Sequence, residues 1–277
     1  MRIAVLDFNK GYPNQGLGNI QATILNYAVK EQVQVHIDVF DVRQSHEVPG
    51  LSYDVYICSG GPGSPLDEST TVGERRFFKL IGDLVDHNRR ALPPNRKFVF
   101  FICHSFQLAC KYFKVGTICK RKSTAFGVFP IHKTYAGQSE AVFKGLPDPF
   151  YAVDSRQWQV VMKGDLETPA ADMAVLAIEK DRPHVPFERA VMAVRFTPEM
   201  IGTQFHPETD ASELQANLQE HGRRQELTEQ LGVLKYNNIM LSLEDPEKVA
   251  FTRWAILPAF LDAARFVRIV QRDNMVR

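Results

Sequence analysis

The sequence has few of the features that mark secreted, membrane or metal-binding proteins. Its 277 residues contain four cysteines, at positions 58, 103, 110 and 119, and none has the paired C-x-x-C spacing of disulfide frameworks or zinc sites. The eight histidines show no short paired spacing either. We therefore expect no disulfide, no bound metal and no cofactor, which leaves the cysteines free to be reactive.

Neither a strong net charge nor a long apolar run is present. The 33 lysines and arginines nearly balance 32 aspartates and glutamates, so the formal net charge is +1 and nothing in the bulk charge points to nucleic acid. The first apolar run, residues 2–8, contains Asp7 and is followed by Lys10, which makes it too short for a signal peptide or a membrane span. We expect a cytosolic protein that binds neither nucleic acid nor membrane.

The first hundred residues alternate between strand-like and helix-like segments. Apolar, β-branched runs predict strands at 2–8, 33–40, 54–59 and 97–102. Helical periodicity predicts helices at 20–30, at 72–88 and from about Ser105, and residues 10–19 have the polar, glycine-rich composition of a loop. This alternation predicts an α/β fold with a doubly wound, mostly parallel sheet of the flavodoxin-like type.

The pattern changes in the second half of the chain. Shorter strand-like runs follow at 126–131, 150–153, 173–179, 190–196 and 201–205, and they favour an antiparallel or mixed region. Beyond Glu208 the composition is helical and polar, at about 211–232 and 246–268. We therefore divide the chain into an α/β domain, residues 1–210, and a C-terminal helical extension, residues 211–277.

The extension carries apolar residues at near-helical spacing, which need a partner surface. They are Trp254, Ile256, Leu257, Phe260, Leu261 and Phe266. Two interpretations are open: these residues cover the sheet edge or form a subunit contact, as in a homodimer, or they pack within the chain, which we favour.

Cys103 lies where an apolar strand meets a helix, in the sequence F-F-I-C-H-S-F-Q. A nucleophile on such a sharp turn projects from the carboxyl edge of the sheet, and the amides of the helix N-terminus stabilise a thiolate there. Free cysteines are also among the most buried residues, so Cys103 on its own is equally consistent with a small core residue.

A second feature, G-T-Q-F-H-P-E at 202–208, favours the reactive interpretation. His206 and Glu208 are two residues apart at the end of an extended run, so their side chains can lie on the same side, and Pro207 restrains the backbone between them. A carboxylate in that position can orient an imidazole, which can serve as general base and then general acid for a thiol nucleophile.

The third feature is the turn S-G-G-P-G-S at 59–64, directly after a predicted strand. Glycines at a strand end let the backbone approach a substrate, and their amides, with the amide of His104, can donate to a developing oxyanion. A tight turn without function has the same composition. Three such features at three strand ends are much less expected by chance than any one.

Residues 2–210 resemble the class I glutamine amidotransferases, specifically the amidotransferase domain of GMP synthases. The resemblance rests on three motifs in this order along the chain: SGGPGS, CHSFQ and QFHPE. The resemblance implies a catalytic triad of Cys103, His206 and Glu208. It also implies an oxyanion and substrate site, made of Gly60, Gly61, His104 and Gln107. Such enzymes hydrolyse glutamine through a γ-glutamyl thioester and deliver ammonia to a synthetase. We find no synthetase segment in this chain, so the partner would act in trans.

The nucleophile turn departs from that family, whose motif is G-x-C-x-G. Phe101 and Ser105 occupy the two glycine positions. Because those glycines relieve crowding between strand, turn and helix, we expect the phenyl group of Phe101 to alter the turn or occlude the substrate pocket. A non-catalytic protein on the same scaffold therefore stays open, although the retained Cys, His and Glu argue against it.

A second resemblance is to the homoserine O-acyltransferases. It rests on A-F-G-V-F-P-I-H at 125–132, F-Y-A-V-D-S-R at 150–156 and the helix that contains Trp254. That family has the same type of triad but implies acyl transfer from acyl-coenzyme A. Its nucleophile motif has glycine where Ser105 stands, and its first loops lack SGGPGS, so we rank it second. The second hypothesis is therefore an acyltransferase or a γ-glutamyl hydrolase built on the same triad.

Two further features receive conservative interpretations. We expect His104 to be an exposed residue at the helix start, although it could modulate the pKa of its neighbour. The basic pair Arg223 and Arg224 could contact an anionic ligand, but charged runs are usually solvated.

Overall fold

A computed structural model describes residues 1–12, 15–66, 71–162, 170–184 and 187–275, with the backbone alone at 246, 247 and 268–275. The strands are β1 Arg2–Asp7, β2 His36–Asp41, β3 Val55–Cys58, β4 Phe98–Ile102, β5 Thr117–Lys133, β6 Phe150–Val161, β7 Ala174–Glu179, β8 Val191–Thr197 and β9 Met200–Thr203. The helices are α1 Gln15–Lys30, α2 Val72–Arg90, α3 His104–Phe113, α4 Tyr135–Gln138, α5 Ala211–Gln219, α6 His221–Leu231, α7 Val233–Glu244 and α8 Pro246–Met275.

The strands form one sheet with two differently built halves. Its order is β2-β1-β3-β4-β9-β8-β7-β5-β6. The pairings from β2 to β9 are parallel, and those from β9 through β8, β7 and β5 to β6 are antiparallel. This confirms the predicted doubly wound α/β class, with its mixed second half and its C-terminal helices.

Helices cover both faces of the parallel half. Apolar residues of α1 and α8 pack on one face, and those of α2 and α3 pack on the other. Strand β4 shows why its sequence is apolar throughout: Phe98, Phe100 and Ile102 contribute to the first face, whereas Val99 and Phe101 contribute to the second. A central parallel strand is buried on both sides, which removes the usual apolar and polar alternation.

The structure corrects three local predictions. Helix α1 begins at Gln15, inside the segment predicted as loop, because Gly16 and Gly18 lower helix propensity without preventing a helix start. Strand β5 has 17 residues rather than six, since its pairing with β6 extends to Thr117. Helix α7 was not predicted, and its buried residues pack against α5 and α6 in a small core of their own.

The C-terminal helices pack within the chain. Ile256, Leu257 and Phe260 of α8 are completely or almost completely buried in the first-face core, together with Leu261, which confirms the interpretation that we favoured for them. Trp254 and Phe266 remain 58% and 67% exposed, and a homodimer stays a prediction. Among the residues that the structure describes, no helix combines the length and apolar character needed to span a bilayer.

Candidate active site

Cys103 occupies a strained turn between β4 and α3. Its φ of 51° and ψ of −99° lie outside the regions that L-residues normally adopt. The turn is held from both sides, because the Cys103 N–H donates to the carbonyl of Thr203 at 2.8 Å and the Gln107 N–H donates to the carbonyl of Cys103 at 3.0 Å. The strain is typical of a nucleophile that must project from the sheet edge.

His206 and Glu208 form a hydrogen-bonded pair just beyond β9. The backbone N–H of His206 donates to the carbonyl of Val153 in β6 at 2.9 Å, which fixes the start of the turn. Nδ1 of His206 lies 2.8 Å from Oε1 of Glu208, whose residue is only 2% exposed. The imidazole therefore has one orientation, with Nε2 available for a second partner.

Electrostatics favour the charged form of this imidazole. Burial by itself lowers the pKa of His206, but the Glu208 carboxylate and the hydrogen-bonded Cys103 sulfur outweigh it and raise that pKa well above 6.5. The arrangement thus favours an imidazolium that is stabilised by a buried carboxylate.

The glycine turn after β3 brings the backbone against this pair. A Cβ at Gly60 would lie 2.8 Å from Cε1 of His206 and 3.3 Å from Cβ of Cys103. A Cβ at Gly61 would lie 2.1 Å from the carbonyl oxygen of Phe8. Neither position accepts a side chain, and Gly60 is the glycine that lies against both Cys103 and His206.

Ser105 has a structural use that the sequence did not reveal. Its Oγ accepts from the Ile102 N–H at 2.9 Å and lies 2.9 Å from the carbonyl oxygen of Cys58, to which it can donate. The hydroxyl is completely buried and joins the nucleophile turn to the end of β3. The residue that replaces the family's glycine therefore braces the turn.

Phe101 does not occlude the site, so the expectation of an occluded pocket was wrong, whereas an altered turn stays a prediction. Its ring is buried on the sheet face that α2 and α3 cover, and in the described part of the chain it lines neither cavity that reaches Cys103. Its partner across the ladder is Gly202. A Cβ at Gly202 would lie 3.0 Å from Cβ of Phe101 and 2.9 Å from Cδ2 of Phe106, so the neighbouring strand supplies the missing space.

Two glutamine side chains connect Cys103 to β6. Nε2 of Gln107 donates to Oε1 of Gln204 at 3.0 Å and to the carbonyl of Trp158 at 3.2 Å. Nε2 of Gln204 lies 3.6 Å from the Cys103 sulfur and donates to it. The role of Gln204 is not apparent from the sequence, although it opens the Q-F-H-P-E motif, because the contact depends on how β9 lies beside β4.

His104 is buried, not exposed as predicted. It is 1% exposed, and it lies on the α2 side of the turn with its ring 6.1 Å from that of Phe8. Desolvation, followed by the positive charges of Arg43 and Lys111, lowers the pKa of His104 to about 3. The side chain is therefore neutral at physiological pH, and only its backbone N–H is suited to an oxyanion.

Two open cavities meet at Cys103. The smaller, of about 230 Å³, is lined by His104, Gln107 and Trp158, among others. The larger, of about 700 Å³, is lined by His206 and Glu208 and extends to α5 and to Arg223 of α6. Within the described ranges, no group of three or more His, Cys, Asp or Glu side chains is placed to hold a metal ion.

Comparisons with known proteins identify the family and the fold. The model of the class-I glutamine amidotransferase family matches residues 17–223. A solved glutamine amidotransferase from Thermotoga maritima superposes with a TM-score of 0.66 at 15% identity, covering 96% of this chain and 97% of that chain. A protein from Thermoplasma acidophilum, described as a GMP synthase subunit, gives 0.57 at 18%, covering 98% of each chain.

A third solved structure, the glutaminase domain of Trypanosoma brucei CTPS with bound acivicin, gives a TM-score of 0.57 at 13% identity. It covers 96% of this chain and 94% of that chain. No curated protein matches the sequence. At these identities the solved structures show a common fold, and the family match rests on the sequence itself.

Proposed function

The chain belongs to the class-I glutamine amidotransferase family, and we propose that it hydrolyses glutamine to glutamate and ammonia through a γ-glutamyl thioester on Cys103. The observation that carries the proposal is how closely Cys103 and His206 approach the backbone of Gly60. A Cβ at Gly60 would lie within 3.3 Å of both the His206 imidazole and Cβ of Cys103. A core cysteine without function needs no oriented imidazole beside it.

In the first step, His206 holds the proton of the Cys103 thiol and the thiolate attacks the γ-carbonyl carbon of glutamine. The carbonyl oxygen becomes an oxyanion, and we assign its stabilisation to the backbone amides of Gly61 and His104, with Gly60 shaping the turn. The helix N-terminus of α3 adds a favourable dipole at the same place.

In the second step, the imidazolium of His206 protonates the departing nitrogen, the C–N bond breaks, and ammonia leaves the γ-glutamyl thioester. Water then attacks the thioester and gives its proton to His206. The C–S bond breaks, which regenerates the thiolate and releases glutamate. Throughout the cycle the Glu208 carboxylate orients the ring and stabilises its charged form.

The smaller cavity is our choice for the glutamyl part of the substrate. Gln107 lines it, and because its amide group donates to Gln204 and to the Trp158 carbonyl, its Oε1 is the atom that can accept from the substrate. Gln204 in turn donates to the Cys103 sulfur. We assign these two side chains to substrate contact and to thiolate stabilisation, respectively.

We propose that the ammonia serves a separate synthetase. The support is by analogy, because one similar structure is described as part of a GMP synthase and another as a glutaminase domain of CTPS. We also propose that the chain divides at about residue 210 into an α/β domain and a C-terminal helical extension, and that it forms a homodimer.

Ammonia release from glutamine by the purified protein tests the proposal. The wild-type protein should release ammonia and glutamate in equal amounts, and Cys103→Ala should abolish both. Cys119→Ala, which changes a cysteine away from the site, is the matched control and should keep full activity. Release that persists in Cys103→Ala would remove Cys103 from the mechanism.

A further inference from the structure

The glycine turn that follows β3 is held from behind by polar side chains. Ser59 is 2% exposed, and its Oγ accepts from the Phe8 N–H at 2.9 Å and donates to the Gly60 carbonyl at 2.8 Å. In a trans peptide the carbonyl and the next N–H point to opposite sides. Because the Gly60 carbonyl faces a buried hydroxyl, the N–H of Gly61 points away from the core, and Gly61 lines both cavities at Cys103.

Arg43 holds the same turn from the loop that follows β2. Its Nη1 donates to the carbonyl of Phe8 at 2.9 Å and also to the carbonyl of Pro62. The Phe8 carbonyl oxygen is the atom that a Cβ at Gly61 would meet at 2.1 Å, so this oxygen lies directly behind that glycine. A single nitrogen of Arg43 thus joins the chain just after Gly61 to the backbone against which Gly61 packs.

The guanidinium of Arg43 is itself fixed and charged. The backbone N–H of Arg43 donates to Oδ1 of Asp41 at 3.2 Å, which fixes the start of the side chain. Desolvation lowers the pKa of Arg43, but the nearby carboxylates of Glu74 and Asp7 oppose that effect, and an arginine stays protonated. Because hydrogen bonds from a charged donor are roughly twice as strong as neutral ones, the two bonds to the carbonyls hold the turn firmly.

We propose that Arg43 is a positioning residue that keeps the Gly61 amide directed at the oxyanion, an inference that rests on the proposed function of the Cys103 site. The oxyanion exists only after the thiolate has attacked, so a displaced amide weakens the transition state more than it weakens substrate binding. Attack of the same thiolate on an alkyl halide forms no oxyanion. Loss of Arg43 should therefore slow acyl transfer and leave alkylation of Cys103 unchanged.

Arg43→Met tests the inference in the intact protein, because methionine keeps an unbranched chain but donates no hydrogen bond. We expect kcat for glutamine, measured by ammonia release, to fall by about 10²-fold. KM should stay within about threefold of the wild-type value, because the lost interaction acts in the transition state. The rate constant for alkylation of Cys103 by iodoacetamide, followed by mass spectrometry of the peptide, should stay within about twofold, because it depends on the thiolate alone.

Two further variants make the test specific. Arg76→Met is the matched control, since Arg76 donates to the carbonyl of His46 at 2.7 Å, on the loop that carries Arg43 but away from the glycine turn. It should keep kcat within about twofold, and equal losses in both methionine variants would contradict the inference. Arg43→Lys should recover kcat to within about tenfold of wild type, because both bonds leave from one nitrogen, which an ammonium can replace.

The outcomes separate this inference from the proposed function. A kcat of Arg43→Met close to that of wild type, or an Arg43→Lys variant as slow as Arg43→Met, overturns the inference. A parallel fall in ammonia release and in alkylation also overturns it, because the substitution then damages the whole site and not the oxyanion position. Each of these results leaves glutamine hydrolysis by the wild type standing. A wild-type protein that releases no ammonia from glutamine removes both claims.

Discussion

The two walls of the site are built in different ways. The wall formed by the ends of β3, β4 and β9 is made of backbone and buried groups, and at Gly60 and Gly61 it accepts no side chain. The wall formed by α5 and α6 is made of partly exposed side chains on helices that pack in a separate small core. From this difference we expect the first wall to determine the chemistry, and substitutions on α6 to leave it unchanged.

The largest expected effect distinguishes His206 from an exposed histidine on α6 that does not line the site. His206→Ala removes the general base and acid, and we expect kcat for glutamine to fall by about 10²–10⁴-fold. His221→Ala changes an exposed histidine at the start of α6 and should leave kcat within about twofold. Steady-state ammonia release measures both, and equal effects of the two variants would contradict the proposed division.

The next largest effect is expected between alanine substitutions at two glycines, one in each wall. Gly60→Ala places a methyl group 2.8 Å from the imidazole of His206, so the ring must move, and a shift of about 1 Å can cost about 10²-fold in kcat. Gly222→Ala on α6 meets nothing within 4 Å and should keep activity while raising stability by about 0.5–1 kcal/mol. Kinetics and thermal unfolding of both variants provide the check.

A third prediction concerns the space that Gly202 leaves for Phe101. Gly202→Ala brings a methyl group 3.0 Å from Cβ of Phe101, and overpacking of this kind should lower the free energy of unfolding by about 1–3 kcal/mol. In the double variant with Phe101→Gly, the total cost should be smaller than the sum of the two single costs, because glycine at 101 removes the Cβ that the added methyl group meets. Additive costs in urea unfolding would show that Gly202 does not compensate for Phe101.

The smallest effect depends on pH. The pKa of His104 is lowered to about 3 in the folded protein, so below about pH 6.5 the unfolded chain binds a proton that the native chain does not. Stability should fall by about 1.4 kcal/mol per pH unit in that range, or about 2 kcal/mol at pH 5. His104→Gln should remove this dependence, whereas His221→Gln should keep it; equal slopes for both in urea unfolding would contradict the assignment.

The sequence was sufficient for the features that depend on local pattern. Buried parallel strands are continuous apolar runs, and Cys103, His206 and the 59–64 turn directly follow or nearly follow such runs, so their meeting at the sheet edge could be predicted. The sequence pattern could not predict that a small residue on one strand makes room for a large residue on the neighbouring strand. The space beside Phe101 comes from Gly202, about a hundred residues later, and depends on the pairing of β4 with β9.

The same reason explains the other differences. His104 is buried beside the ring of Phe8, which follows β1, and the bond from Gln204 to Cys103 depends on which strand lies beside β4. Helix α7 has little amphipathic pattern of its own and is stabilised by contacts with α5 and α6. Each is a long-range contact that residue spacing along the chain does not encode.

Covalent labelling with 6-diazo-5-oxo-L-norleucine, an electrophile that mimics glutamine, tests the central claim most directly. Peptide mapping by mass spectrometry should find one adduct, on Cys103, which excess glutamine prevents and which is absent in Cys103→Ser. Labelling spread over Cys58, Cys110 and Cys119, or no labelling of Cys103, would contradict the account of this site as a glutamine-directed thiolate.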